Sequence, residues 1–275
     1  MEWKSDYVKY DDNKIHYFHG GDKKPVILLH GVMDNGLCLS PVAQKLSENY
    51  HTIMPDARGH GLTEIPNRKY SYELMAQDIA MLIQDLKLEK PQIIGHSMGA
   101  ALATLVASNY PELVSRIILE DPAFRLKKAN KILKGIAKPL IKLAMGGMVK
   151  DSYEKNLEKG RKSNVKRGKK NKSQWSEEEL QPWAESKALF KKNDGKKAFM
   201  GIIDDTTDWK EVLQNISCPV LLITSDKGMT KDEKAQEIVD LIKDCKWVKI
   251  EGAGHNIRRE QYERYIEEVQ DFLIL

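Results

Sequence analysis

A mostly parallel β-sheet covered by helices on both faces is the fold this sequence predicts, and three observations predict it. Short apolar runs alternate with segments of helical periodicity along most of the chain. The run PVILLH at positions 25–30 has no polar alternation, the pattern of a strand buried on both faces. A serine between two glycines, at positions 95–99, stands where another such strand gives way to a helix.

The elements follow in chain order. Residues 7–10 and 14–18 read as two strands joined by the turn Asp11-Asp12-Asn13. After the strand at 25–30 come a helix at about 41–48 and a strand at 50–54. Between 70 and 88, Leu74, Met75, Ile79, Leu82, Ile83 and Leu86 recur at helical spacing. Further short strands are expected at Ile93–Ile94 and at 116–119, 220–224 and 247–250, alternating with helices at 100–109, 232–242 and 261–273.

The alternation stops between Asp121 and Asn215, where only helical patterns are legible. Residues 1–121 and 211–275 are therefore expected to form the core, with 122–210 an inserted helical cap that is basic in its first half. From Arg125 to Lys172 there are 17 Lys/Arg against three Asp/Glu, in a chain whose net charge is only +4. Residues 126–144 form an amphipathic pattern ringed by lysines, with Pro139 expected to kink it. Such a helix suits either a membrane surface or a cap with solvated lysines, and the cap is the reading preferred here. Residues 160–172 carry almost no apolar side chains and are expected to form a mobile loop.

Composition narrows the class. With 275 residues, 41% hydrophobic and 31% charged, the chain suits one large domain with an insertion. No apolar run approaches the ~18–20 residues of a membrane span, and the charged N-terminus lacks a signal-peptide core. Cys38, Cys218 and Cys245 have neither metal-ligand spacing nor an even count. A cytoplasmic protein without metal or organic cofactor is expected, monomeric or homodimeric, with no nucleic-acid partner and no membrane contact.

The chemistry centres on Gly95-His96-Ser97-Met98-Gly99. A serine in such a strand-to-helix turn is held in a strained conformation with its hydroxyl displayed, a nucleophile elbow. An oxyanion beside it would be met by the backbone N–H of Met98 and by one from the earlier loop His30-Gly31-Val32-Met33-Asp34, that of Val32. The general base has to lie on a late loop. Glu251-Gly252-Ala253-Gly254-His255-Asn256 supplies His255, with small residues that let the loop approach the serine. His60, in Asp56-Ala57-Arg58-Gly59-His60-Gly61, is read as structural, with Asp56 and Arg58 tying that turn down.

Taken together, HGVMDNG, DARGHG, GHSMGA and GAGHN resemble the α/β-hydrolase family, in the family's order and after the strands that should carry them. The resemblance spans nearly the whole chain apart from about residues 125–210, where the family inserts variable caps. It implies an acid in the order serine, acid, histidine. Many relatives place that acid as the last residue of G-x-x-D after the penultimate strand, but here Ser225-Asp226-Lys227-Gly228 has glycine there. Asp226 is the preferred acid and Asp121, in IILEDPA, the alternative.

The expected activity is that of a serine hydrolase cleaving a small carboxylic ester through an acyl-enzyme. The same machinery would serve a lactonase, thioesterase, amidase, carbon–carbon hydrolase or perhydrolase, because substrate choice lives in the cap. A weakly catalytic small-molecule receptor is the reading from a different class, favoured by Gly228 alone. The basic segment would attract an anionic acyl substrate.

Overall fold

Hydrophobic runs too short for helices become the strands of one eight-stranded sheet. The computed structural model describes residues 2–67, 69–124, 126, 151–168, 175–192 and 195–274. The strands are β1 (Lys4–Tyr10), β2 (Asn13–Gly20), β3 (Pro25–Leu29), β4 (His51–Pro55), β5 (Gln92–His96), β6 (Arg116–Glu120), β7 (Val220–Ser225) and β8 (Cys245–Ile250). Their spatial order is β1-β2-β4-β3-β5-β6-β7-β8. β1 with β2 and β2 with β4 pair antiparallel, and every other pairing is parallel.

Period-two alternation sorts the strand side chains onto two cores. Ile27, Leu29, Ile53, Ile93, Ile117, Leu119 and Leu222 face α2 (Tyr72–Asp85), α3 (Met98–Asn109) and α8 (Asp232–Leu241). Val26, Leu28, Met54, Ile94, Ile118, Leu221 and Ile223 face α1 (Ser40–Leu46), α9 (Ile257–Glu260) and α10 (Tyr262–Ile274). Each fully buried aliphatic side chain contributes about 1.5–3 kcal/mol, so the central strands are firm supports for the loops at their ends. The start of α2 is fixed by Ser71, whose hydroxyl accepts from the Leu74 N–H at 3.2 Å.

The chain winds from β3 to β4 on one side and returns to β5 on the other. A crevice therefore opens beyond the carboxyl ends of β3 and β5, the place where this sheet class holds its ligands. The turn after β5 lies there. A Cβ on Gly95 would overlap the Gly99 carbonyl, and one on Gly99 would overlap the Leu29 carbonyl at the end of β3. The two glycines are demanded by this close approach of strand, turn and helix. Alanines fill the buried face of α3 for the same reason.

Between β6 and β7 the described residues hold only helices: α4 (Tyr153–Gly168), α5 (Glu177–Lys192), α6 (Gly195–Ile203) and α7 (Trp209–Gln214). Leu157 of α4 packs with Leu180, Ala184, Trp175 and Trp183 at and around α5. The mobile loop expected at 160–172 is corrected in part, since α4 runs through residue 168. Tyr153 and Leu157 pack toward α5, Gly160 lies against Leu180 and Trp183, and Arg161 pairs with Glu177, while Val165 is exposed. Tertiary packing outweighs a weak local pattern here. Residues 169–172 of that loop, and nearly all of the lysine-ringed helix expected at 126–144, lie outside the described residues. None of the helices described is long and apolar enough to cross a membrane.

Gly99→Ala tests the close approach. The added methyl meets backbone that cannot rotate away, so the cost should reach about 2–3 kcal/mol, or about 4–12 °C in melting temperature. Gly254→Ala, whose methyl would meet the Glu260 carboxylate at an ordinary 3.5 Å, should melt near the wild type. Circular dichroism melts that coincide for all three proteins would contradict the packing argument.

Candidate active site

Ser97 has φ +54° and ψ −110°, a backbone conformation in the region L residues avoid, and directly precedes α3. Its N–H donates to the Glu120 carbonyl at 2.9 Å, and its own carbonyl accepts from Ala101 and Ala123. Three hydrogen bonds thus hold the strained residue from both neighbouring segments. Only 4% of Ser97 is exposed, which sets its hydroxyl at the floor of the crevice.

The loop leaving β3 presses against it. A Cβ on Gly31 would come within 3.4 Å of the Ser97 Cβ and 2.8 Å of His96 Nδ1. Val32 follows directly, so the two backbone N–H groups expected to meet an oxyanion, those of Val32 and Met98, belong to segments that flank the serine. Met33 closes this turn at φ +68°, and the Asp34 N–H returns to the Gly31 carbonyl at 3.2 Å. A left-handed methionine costs roughly 1–2 kcal/mol, so the turn needs outside support.

Support comes from α5. Lys187 Nζ donates to the Met33 carbonyl at 3.2 Å and lies 3.6 Å from Asp34 Oδ1. Burial lowers the pKa of Lys187, and Asp34 partly restores it. Burial alone would raise the pKa of Asp34, but Arg259, Lys187 and Arg258 outweigh it and hold the carboxyl below its ordinary range. Val32 and Met33 also pack with Phe190 and Phe199 from the insertion, which gives the crevice an apolar wall. Sequence reading missed Lys187, because nothing local distinguishes it from the other lysines of the insertion.

His255 lies on the loop between β8 and α9. Its carbonyl accepts from His96 Nε2 at 2.9 Å, and the two rings lie 4.7 Å apart. His96 follows Gly95 on β5, so this bond ties the late loop to the residue preceding Ser97. Burial first, then Arg258 and His255, push the pKa of His96 well below the ordinary value, so it is a neutral strut.

The expectation that Asp226 partners His255 is not met by the geometry. His255 Nδ1 lies 2.7 Å from Asp121 Oδ2. Asp226 instead accepts from the Gly252 N–H at 2.9 Å and sits 3.5 Å from Lys227. The physical reason is steric and local. Asp121 turns at φ +41° just past β6, and its carboxylate fills the space in front of Gly228. A Cβ at Gly228 would stand 2.8 Å from Asp121 Oδ2 and 3.0 Å from Oδ1. The N–H groups of Met229 and Thr230 then donate to that carboxylate at 2.8 and 2.7 Å. Burial would raise the pKa of Asp121, but the bonds from His255, Met229 and Thr230 outweigh it, and it stays below the ordinary range. The missing side chain at Gly228 was the available signal.

His60 is fully buried between His30 and Phe190. Its pKa falls to about 3 through burial and the neighbouring His30, so it is neutral packing on the core side of the insertion. Among the described residues, no group of three or more His, Cys, Asp or Glu side chains could hold a metal ion.

The crevice thus brings together a strained serine at the start of a helix, with the loop after β3 against it, and an imidazole bonded to a buried carboxylate. The chain belongs to the alpha/beta hydrolase fold family, whose model matches residues 24–258. An uncharacterised Mycobacterium tuberculosis protein is 32% identical over 125 residues, 46% of this chain and 37% of that protein. The 2-(acetamidomethylene)succinate hydrolase of Mesorhizobium japonicum is 35% identical over 96 residues, 35% of this chain and 34% of that enzyme. These matches span about a third of either relative. A Haemophilus influenzae protein that carries an esterase/lipase name is 26% identical over 265 residues, covering 90% of this chain and 82% of its own length. The crystal structure of E-2-(acetamidomethylene)succinate hydrolase superposes with a TM-score of 0.77 at 19% identity, covering 100% of both chains, a likeness of fold.

Lys187→Met tests the support of the Met33 turn. Asp34 keeps Arg258 and Arg259 nearby, at 3.5 and 3.6 Å, so the fold should survive while the loop loosens. We expect kcat for an ester to fall on the order of tenfold with KM nearly unchanged, as loss of an aligned oxyanion donor requires. A change confined to KM would assign Lys187 to substrate binding instead.

Proposed function

We propose that this chain is a serine hydrolase that cleaves a small carboxylic ester, with Ser97 as nucleophile, His255 as general base and Asp121 as the acid. The observation that carries the reading is the 2.7 Å bond from His255 Nδ1 to a buried Asp121 carboxylate, beside a serine at φ +54°. Asp121 fixes Nδ1 as the protonated nitrogen, which leaves Nε2 to accept the Ser97 proton as Oγ attacks the carbonyl carbon. Negative charge then develops on the carbonyl oxygen. The Met98 and Val32 N–H groups meet it, each worth about 3–4 kcal/mol in sites of this kind.

Collapse of the intermediate breaks the ester C–O bond, and His255 returns the proton to the leaving alkoxide. Water enters next, gives its proton to His255 and releases the acid from Ser97. Asp121 stabilises the imidazolium throughout without taking its proton. No step calls for a metal or an organic cofactor. Residues 122–210 act in this reading as a cap, with Phe190 and Phe199 lining the acyl side and Lys187 supporting the donor loop.

An amide bearing a carboxylate is the second substrate reading. It is favoured by the relative named for 2-(acetamidomethylene)succinate hydrolysis, and the basic first half of the insertion suits an anion. Comparing kcat/KM for a neutral short-chain ester and an anionic N-acyl amide separates the two.

A fluorophosphonate probe should label the wild type and not Ser97→Ala. Asp121→Asn should lower kcat for p-nitrophenyl butyrate on the order of 10³–10⁴-fold, the loss expected of a wrongly held tautomer. Asp226→Asn should leave kcat unchanged. Labelling that persists in Ser97→Ala, or a loss that follows Asp226 and spares Asp121, would refute the assignment. Labelling without steady turnover of any ester would support the receptor reading.

A further inference from the structure

A second serine, far from the crevice, heads an array of serine, histidine and carboxylate. Ser5 on β1 has its Oγ 2.8 Å from His16 Nε2 on β2, and His16 Nδ1 lies 2.8 Å from Asp56 Oδ2 after β4. Between β1 and β5 lie three other strands, so this array is about 19 Å across the sheet from the turn that carries Ser97. The hydrolytic reading of Ser97 makes no use of it.

The protons in this array are determined by its acceptors. Asp56 is fully buried and also receives the Gly36 N–H at 2.7 Å and the Leu62 N–H at 2.8 Å. Burial would raise its pKa, but the bond from His16 and the neighbouring groups outweigh it and keep the carboxyl below its ordinary range. A carboxylate can only accept, so His16 carries its proton on Nδ1. In the neutral ring Nε2 is then the acceptor, and the Ser5 hydroxyl donates to it. The rings of Tyr7 and Phe18 flank His16 at 5.0 and 4.5 Å and screen the imidazole from water.

Unlike its imidazole partner, Ser5 is exposed on the edge strand. The Tyr7 N–H turns to the Asp6 side chain, at 2.7 Å, and not across to β2. Alternate residues of a strand direct their N–H groups the same way. The Ser5 N–H therefore also faces the open edge, where a carbonyl oxygen approaching Oγ would meet it.

We propose that Ser5 is a second acyl-accepting nucleophile, a modification site that takes an acyl group from activated esters of the thioester or aryl-ester class. The Ser5 Oγ–carbon bond forms, the carbon–sulfur or carbon–oxygen bond of the donor breaks, and the hydroxyl proton passes through His16 Nε2 to the leaving thiolate or phenolate. A single edge N–H stands where Ser97 is flanked by two backbone donors. Acylation at Ser5 is accordingly slower than at Ser97 and the product ester persists.

The test uses the whole 275-residue chain carrying Ser97→Ala, with p-nitrophenyl acetate, followed by peptide mapping. Hydroxylamine, which cleaves esters and spares amides, separates an acetyl group on Ser5 from one on the adjacent Lys4. Acetylation of Ser5 should run on the order of 10²-fold faster than at exposed serines without an imidazole partner. His16→Gln, checked for its fold by circular dichroism, should reduce Ser5 to the rate of those serines. Ser5→Ala in the otherwise wild-type chain should leave ester turnover unchanged. Ser5 acetylation no faster than at other exposed serines, or equally fast in folded His16→Gln, would overturn the proposal.

Discussion

One hydrogen bond, from His255 Nδ1 to Asp121 Oδ2, organises the crevice. For it to form, β6 must deliver a carboxylate one residue past its last ladder position, and Asp121 does so in a left-handed turn at φ +41°. The carboxylate must also stay ionised while fully buried, which a lone charge would not do. The Met229 and Thr230 N–H groups meet that need from the loop after β7. That loop can come so close only because residue 228 has no side chain. Two adjacent strands and their exit loops thus share one anion and aim one imidazole.

The serine side of the crevice is built by crowding. β3, the turn after β5 and α3 approach until only glycine fits at positions 95 and 99, and Ser97 is forced into its strained conformation between them. The loop after β3 is strained as well, at Met33, and its support comes from Lys187 and Phe190 far along the chain. The geometry of the crevice therefore depends on the insertion as well as on the sheet. A loosened insertion would reach Ser97 through the backbone of residues 31–34.

Most of the sheet was legible from sequence because buried strands such as β3 and β7 are continuously apolar and end at glycine, proline or charged residues. The elbow was legible because its glycines are required by contacts one turn away. The acid was harder. Asp226 and Asp121 both follow apolar strands, and only the packing of Gly228 against the Asp121 carboxylate separates them. That contact joins positions more than a hundred residues apart, beyond the reach of spacing. Helix α4 was hidden for a related reason, since Tyr153 and Leu157 find their apolar partners at and around α5 and not within the helix itself. The Ser5–His16–Asp56 array joins β1, β2 and the loop after β4, and no motif announces it.

Moving the acid tests the account most directly. Asp121→Gly suits the left-handed backbone at that position, empties the space before residue 228, and should abolish nearly all ester turnover. Adding Gly228→Asp to it restores a carboxylate to the same space from the neighbouring loop. The account predicts that kcat of the double variant recovers by at least about tenfold over Asp121→Gly alone, an orientation gain of ~1.4 kcal/mol. Full activity in Asp121→Gly by itself would contradict the central role given to the Asp121–His255 bond.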